Sequence, residues 1–304
     1  MLVEFVQDIS ANYGVAEQAS PLITRVLCEN PSPYTYTGTT TYLVGNGANL
    51  AVIDPGPLHP QHGEALLAAI GDKQLSHILV TRTHIDHSPL AGWLSEKTGA
   101  PTYAFSALGA GRTGGMDGET VEAGADKDFR PDRLLTDGEI VSGDGWTLSA
   151  HHTPGHTSNH MCFLLQEENT LFVGDHVMGW ATSVISPPDG DMRAYLASLK
   201  KVAELGADHL VPAHGPWIDK PKPFIRGIIT HRRMREGQIL KLLEEKTLTI
   251  RALVDRMYKG LDERLVGAAA QSVLGHMIAL LDEERVECDS AVLISGNYSL
   301  GKGQ

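Results

Sequence analysis

Two histidines and an aspartate lie within four residues in the first third of the chain. His84, Asp86 and His87 follow the apolar run 77–80, which is typical of a short β-strand. Neutral imidazole nitrogens and carboxylate oxygens are donors that zinc and similar divalent ions prefer. Because a loop leaving a strand end can turn these side chains toward one point, the spacing predicts a metal site. The alternative is a solvated polar loop.

The residue two positions before His84 is an arginine, Arg82. In the fullest form of this pattern, H-x-H-x-D-H, a third histidine stands there. A guanidinium stays protonated at any accessible pH, so Arg82 cannot be a metal ligand. Two interpretations follow: Arg82 binds an anionic group of a substrate through its fork of N–H donors, or it pairs with a carboxylate such as Asp175.

Three more candidate ligands, His156, Asp175 and His214, each stand beside a glycine where a predicted strand ends. A glycine lets the backbone turn sharply and brings the side chain to the edge of a sheet, where ligands from separate strands meet. Each of the three alone favours a structural role. Together with the first motif, they predict one centre assembled from several strand ends.

The elements that must position these residues alternate between β-prone and helical segments. Helices are predicted over 63–70 and 192–205, with Ser88 as the N-cap of another. The Gly-rich and acidic stretch 106–145 is predicted as a long loop or insertion over one face. The predicted strands are 41–44, 50–53, 77–80, 146–152, 161–165, 170–173 and 209–211.

The pattern changes after the proline pair in 221–223. The predicted elements beyond it are helices over 224–245, 248–258 and 263–282, and a hairpin over 286–294. Three helices followed by a β-hairpin is the order of a winged-helix unit. We therefore predict two domains, residues 1–222 and residues 223–304.

Charge is distributed unevenly between these two parts. Residues 1–221 carry 12 Lys/Arg against 26 Asp/Glu, a net of −14, whereas residues 222–304 carry 13 against 11, a net of +2. The acidic part repels polyanions, so a small-molecule substrate is favoured over a long nucleic acid. Only the C-terminal part is permissive for nucleic acid.

Cysteine spacing and hydropathy predict a cytoplasmic protein with no membrane partner. Cys28, Cys162 and Cys288 are far apart and odd in number, which is typical of reduced thiols rather than of disulfides or zinc ligands. The N-terminal segment lacks the basic start and apolar centre of a secretory signal. No stretch approaches the roughly 20 apolar residues of a membrane span.

The ordered ligand set resembles that of the metallo-β-lactamase superfamily. Segments 174–179, 212–216 and 231–236, followed by a winged helix, are similar to the hydrolases grouped with beta-lactamase-like protein 2. The resemblance runs over essentially the whole chain. It implies an α/β fold, an αββα sandwich with a metal site at one edge, and a small C-terminal winged-helix domain.

The resemblance also implies two adjacent metal sites that share Asp175 as a bridging ligand. The first would use position 82 with His84 and His156. Because Arg82 stands at that position and its charge opposes a second dication, we expect this site to be impaired. The ligands implied for the second site are Asp86, His87, Asp175 and His214. We expect one tightly bound metal, zinc first, with iron or manganese as alternatives.

The expected chemistry is hydrolysis by a metal-bound hydroxide, since a dication lowers the pKa of its water from about 15.7 to about 7 in favourable zinc sites. Asp86 can orient that water or take its proton, and Arg82 can stabilise a developing oxyanion. His160 can point at the leaving group or support a ligand from behind. Asp54 is interpreted as the cap of a turn behind the site, and Trp180 as part of the pocket wall.

A thioester, ester or similar carbonyl substrate is the first choice, and a phosphodiester such as single-stranded RNA is the second. A third interpretation is a catalytically weakened regulatory or DNA-binding protein. Arg82 favours it, but in the predicted helix 263–282 Arg264 is the only Lys or Arg. The C-terminal unit is instead expected to cover the active-site edge or to mediate a homodimer.

Overall fold

The structure of the chain is a computed structural model that describes residues 3–6, 10–107, 124–291 and 293–301. The central part of the predicted 106–145 loop lies outside the described residues. The part that is described contains two short strands rather than continuous loop.

The N-terminal sheet has seven strands that follow one another in sequence order. They are β1 (Ala16–Gln18), β2 (Ile23–Leu27), β3 (Thr40–Val44), β4 (Asn49–Ile53), β5 (Gln74–Leu79), β6 (Thr102–Ala104) and β7 (Arg133–Leu134). Strands β1 to β4 pair antiparallel, and β4 to β7 pair parallel. Strand β3 is buried along its whole length, including the two threonines Thr40 and Thr41.

The second sheet has five strands in the order β12-β11-β10-β9-β8. They are β8 (Ile140–Gly143), β9 (Trp146–His152), β10 (Met161–Leu165), β11 (Thr170–Gly174) and β12 (His209–Pro212). Only the β11–β12 pair is parallel within this sheet. The predicted strands 146–152 and 161–165 are confirmed to the residue.

Four layers result from the packing of these sheets. Large side chains such as Trp146, Phe163 and Phe172 fill the space between the two sheets. Helices α1 (Pro60–Ile70) and α2 (Leu90–Thr98) cover the outer face of the first sheet. Helix α3 (Met192–Leu205) and the first half of α4 (Pro221–Glu245) cover the outer face of the second. The predicted αββα sandwich is confirmed.

The C-terminal unit contains α5 (Ile250–Met257), a 3₁₀ turn (Glu263–Leu265), α6 (Val266–Asp282) and a three-stranded antiparallel sheet. Its strands are β13 (Leu248–Thr249), β14 (Val286–Cys288) and β15 (Asn297–Leu300). The order of helices and strands confirms the winged-helix prediction. The predicted hairpin 286–294 was too short, because 293–295 form a 3₁₀ turn and the returning strand is β15.

Helix α4 belongs to both parts of the molecule. Ile225 and Ile228 pack in the apolar cluster beneath the second sheet, whereas Ile239 and Leu243 pack in the C-terminal core. The predicted domain boundary at 222/223 assigns this helix to the C-terminal unit, although the helix packs against both parts. The boundary stays a prediction.

One helix among the described residues, Glu263–Asp282, is long and apolar enough by length and composition to cross a membrane, so the expectation that no stretch approaches a span was wrong. Within α6, however, Val273 and Met277 are fully buried in the C-terminal core. Its hydropathy is accounted for as that of a core helix.

Candidate metal centre and active site

The centre lies where strand ends of both sheets meet. Loop 80–89 follows β5 and carries Arg82, His84, Asp86 and His87, and the other side chains follow β9, β11 and β12. The carboxyl ends of parallel strands are the usual place for such a site in an α/β fold. Glycine is required at position 174, because a Cβ there would lie 2.6 Å from the Thr81 hydroxyl oxygen and the backbone has φ +47°.

Four of the predicted ligands form one tight group: Asp86, His87, Asp175 and His214, whose donor atoms all lie within 4.8 Å of one another. Nε2 of His214 is 3.2 Å from Oδ2 of Asp86 and 3.3 Å from Oδ1 of Asp175. Nε2 of His87 is 3.6 Å from both carboxylates. These are the ligands expected for the second site, and the two imidazoles and two carboxylates face one point.

Both imidazoles in this group are held from behind. Nδ1 of His87 lies 2.8 Å from a carboxylate oxygen of Asp54, and Nδ1 of His214 lies 3.1 Å from the carbonyl oxygen of Gly38. With Nδ1 engaged in each ring, Nε2 is directed at the group, which is the arrangement that orients histidine ligands in metal sites.

Asp54 contacts the donor group, whereas the sequence predicted it only as the cap of a turn behind the site. It does accept hydrogen bonds from the backbone N–H and the hydroxyl of Thr81, each at 2.7 Å. The same carboxylate also fixes His87, which lies on a different loop. The only sequence signal was its position at the end of the β4 strand, beside Pro55 and Gly56.

Arg82 lies inside the group rather than beside it. Its Nη2 is 2.5 Å from Oδ2 of Asp175, 2.9 Å from Nε2 of His87 and 3.4 Å from Oδ1 of Asp86. The predicted pairing with Asp175 is confirmed. Nη2 also contacts three of the donors expected for the second site, so the influence of Arg82 is not limited to the first.

Of the remaining predicted ligands, His156 lies near the other carboxylate oxygen of Asp175, and His84 lies beside His156. Their ring centroids are 5.3 Å apart, and Nε2 of His156 is 3.9 Å from Oδ2 of Asp175. Nδ1 of His156 is fixed by the carbonyl oxygen of Val184 at 2.6 Å. The tight group of donors does not include these two histidines.

His160 lies in the interior, with no exposed surface. Its Nδ1 is 2.9 Å from the hydroxyl of Thr153, and its Nε2 lies behind Gly174, where a Cβ would approach to 2.7 Å. Burial lowers the pKa of His160 well below its ordinary value, so the ring is neutral. This placement supports the interpretation of His160 as a structural residue rather than as a donor to the leaving group.

Ser88 does not cap helix α2 as predicted. Pro89 occupies the N-cap position without a side-chain bond, and Ser88 instead donates to Asp126 at 2.6 Å and to the carbonyl of His84 at 3.1 Å. The hydroxyl thus stabilises the loop that carries the ligands.

An aromatic pair lies next to His214. The rings of Tyr36 and Trp180 are stacked with centroids 4.9 Å apart and an interplanar angle of 15°. A Cβ at Gly215 would lie 2.6 Å from Trp180, so the glycine allows the indole to approach the ligand loop. This position agrees with the interpretation of Trp180 as part of the pocket wall.

Opposite charges dominate the electrostatics of the group. Burial raises the pKa of Asp86 and of Asp175, but Arg82 lowers both, and the result lies below the ordinary value for each. Burial lowers the pKa of His214, but Asp175 and Asp86 raise it, to about 9. The carboxylates are therefore ionised at neutral pH, and His214 binds a proton there in the absence of another cation.

A four-layer αββα sandwich with histidine and aspartate donors gathered at one edge defines a class of metal-site hydrolases. The model of the Metallo-beta-lactamase superfamily matches residues 34–214, and that of the Beta-lactamase associated winged helix domain matches residues 249–291. The chain belongs to the metallo-beta-lactamase superfamily and is a hydrolase of that fold.

Similar proteins agree with this assignment over most of the chain. The Beta-lactamase-like protein 2 homolog of Caenorhabditis elegans is 34% identical over 238 residues, which are 75% of this chain and 73% of that protein. An Atrochrysone carboxyl ACP thioesterase of Cryptosporiopsis sp. is 33% identical over 246 residues, 80% of this chain and 70% of that protein. A metallo-beta-lactamase family protein from Thermus thermophilus has the same fold, with a TM-score of 0.75 at 23% identity over 93% of this chain and 100% of that one.

Proposed function

We propose that the protein is a metal-dependent thioesterase that hydrolyses acyl thioesters. The observation that carries the proposal is the convergence of Asp86, His87, Asp175 and His214 within 4.8 Å, with both imidazoles held through Nδ1. The choice of a thioester is supported by relatives named as acyl carrier protein thioesterases.

The donor set fits one divalent ion. Two imidazole nitrogens and two carboxylates suit zinc first, and iron or manganese as alternatives. A divalent ion held by these donors supplies a water of lowered pKa and polarises a carbonyl oxygen. Nη2 of Arg82 contacts three of these donors. We therefore infer that one metal is bound per chain and that it competes with the guanidinium for those donors.

The chain's own residues have distinct roles in this proposal. Asp86 has the most exposed side chain of the group, at 18%, so it faces the side from which water and substrate enter. Its lowered pKa makes it a hydrogen-bond acceptor that orients water rather than a group that retains a proton. In the reaction the water oxygen bonds to the acyl carbon, the C–S bond breaks, and the departing sulfur takes a proton to give a thiol.

Arg82 is assigned to the carboxylates rather than to the substrate. Its Nη2 is engaged by Asp175 and His87, and its side chain is only 2% exposed. Its positive charge offsets the negative charge of the carboxylates, because a buried charge without an opposite charge nearby costs free energy. We therefore assign no oxyanion-binding role to Arg82.

The regulatory alternative is not favoured by the C-terminal unit. In α6, the third helix, only Gly267 and Asp282 are exposed. A helix that enters a DNA groove needs accessible basic side chains, and α6 presents none.

The ribonuclease alternative is opposed by the net charge of −14 over residues 1–221. Cytoplasmic location and a homodimer stay predictions.

The proposal is tested with the full-length chain, its metal content measured by elemental analysis. Acyl thioesters of pantetheine, the matching oxygen esters and an activated phosphodiester are offered with and without a chelator, and the released thiol is measured. We expect about one metal per chain and thioester turnover that is lost on chelation and regained with zinc. Turnover of the phosphodiester but not of any thioester would overturn the proposal.

A further inference from the structure

One loop, residues 183–185, connects the C-terminal unit to the metal centre. The hydroxyl of Ser183 donates to the carbonyl of Asp175 at 2.6 Å and to that of His176 at 3.0 Å. The next carbonyl, that of Val184, lies 2.6 Å from Nδ1 of His156. Consecutive residues of this loop therefore contact two predicted ligands, Asp175, which is the predicted bridging ligand, and His156, which is predicted for the first site.

The loop is held in turn by a side chain of α4. Arg232 donates through Nη2 to the carbonyl of Ser183, and its guanidinium lies 5.4 Å from the ring centroid of Tyr195. The Tyr195 hydroxyl donates to the carbonyl of His176 at 3.0 Å. Arg232 is thus linked to the segment that follows β11 in two ways. One link is its hydrogen bond to the Ser183 carbonyl, and the other is its contact with the ring of Tyr195.

Helix α6 supports the same loop from the other side. A Cβ at Gly275 would lie 3.4 Å from the carbonyl oxygen of Ile185, and Ile185 is fully buried. The two helices therefore enclose the loop, and its position depends on the C-terminal unit.

The side chain of Arg232 is buried, which is unusual for an arginine. It is 3% exposed, and within the described part of the chain no carboxylate forms an ion pair with it. Arginine is rarely buried without an acidic partner, because its desolvation is costly. A long apolar side chain would fill this space at lower cost, but it could not donate to the Ser183 carbonyl.

We propose that Arg232 is a positioning residue for the metal centre, acting through loop 183–185 on Asp175 and His156. The proposal rests on the metal site of the proposed function, though not on the choice of substrate. It also gives the C-terminal unit a role: it completes the support of the centre rather than forming a separate binding module.

The test compares Arg232→Met, Arg232→Lys and Ser183→Ala with a matched control, Arg233→Met, which removes the exposed neighbouring arginine of the same helix. Zinc affinity is measured by competition with a chromophoric chelator, together with the thermal midpoint, kcat and KM. Arg232→Met and Ser183→Ala should each weaken zinc binding about 10-fold, the low end of the range for residues that support ligands. They should lower kcat more than KM, Arg232→Lys should restore part of both, and the control should match the wild type.

A purely structural role for Arg232 would lower the thermal midpoint without changing the zinc affinity of the folded protein, and that result would overturn the proposal. If Arg232→Met does not fold, Ser183→Ala decides, because it removes one hydroxyl from the same set of contacts. A wild-type chain that binds neither zinc nor iron nor manganese would overturn both proposals. A chain that binds zinc but hydrolyses no thioester would overturn only the substrate assignment.

Discussion

The two sides of Asp175 differ in how completely they are built. On one side, His87 and His214 point Nε2 at two carboxylates, and each ring is held through Nδ1 by Asp54 or by a backbone carbonyl. On the other side, His84 and His156 have no third histidine, since Arg82 occupies that position. The difference teaches that an arginine at one position of the motif leaves a convergent set of four donors, Asp86, His87, Asp175 and His214, in place.

Removal of a ligand from the complete side should have the largest effect. We expect His87→Ala to weaken zinc binding by more than about 100-fold, beyond the range for supporting residues, and to abolish turnover. The matched control is His209→Ala, whose ring is 42% exposed and pairs with Asp219 far from the centre. Equal zinc content in wild type and His87→Ala would show that the metal binds elsewhere.

Loss of the support behind a ligand should have the next largest effect. We expect Asp54→Ala to weaken zinc binding by about 10- to 100-fold, because His87 loses the partner that fixes its ring and tautomer. Calorimetric titration of the metal-free protein measures this directly. An unchanged affinity would mean that the 2.8 Å contact does not contribute to orientation.

Restoration of the missing histidine should make the two sides alike. Arg82→His removes a cation from three donors and supplies an imidazole beside His84 and His156, so we expect the metal content to rise from about one to about two per chain. Arg82→Met serves as the control, which removes the charge without adding a donor and should remain at about one. Two tightly bound metals in the unmodified chain would refute the impairment of the first site.

The pH dependence of metal binding should sharpen the account of the complete side. The pKa of His214 is raised to about 9 when no metal is bound, so its proton must leave before Nε2 can bind a metal. Affinity should therefore rise with pH, about tenfold per unit below pH 9, and level off above it. Proton release on zinc binding, measured in buffers of different ionisation enthalpy, tests this, and an affinity independent of pH between 6 and 8 would contradict it.

The sequence was sufficient for most of the fold and for the four donors that converge, Asp86, His87, Asp175 and His214. His84, Asp86 and His87 share one motif, and His156, Asp175 and His214 each follow a strand, so position along the chain predicted their meeting at one edge. Strand periodicity also placed most elements within a few residues, although β1 and β2, which are partly exposed, and β6, which has only three residues, were missed.

Contacts between distant segments were beyond sequence reasoning. Asp54 reaches His87 from another strand, and no local pattern specifies that distance. The direction of the Arg82 side chain is also set by tertiary surroundings, since its charge is drawn to Asp175, which is 93 positions away. The burial of Arg232 under loop 183–185 is likewise set by packing between distant segments, which no local pattern specifies.

Helix α4 has a consequence for how the molecule unfolds. Its 25 residues span about 37 Å at 1.5 Å per residue, with Ile225 and Ile228 in the sandwich and Ile239 and Leu243 in the C-terminal core. Neither core can release this helix without exposing apolar surface of the other. The two parts should therefore melt together in a single cooperative transition, as one folding unit rather than as two independently stable domains.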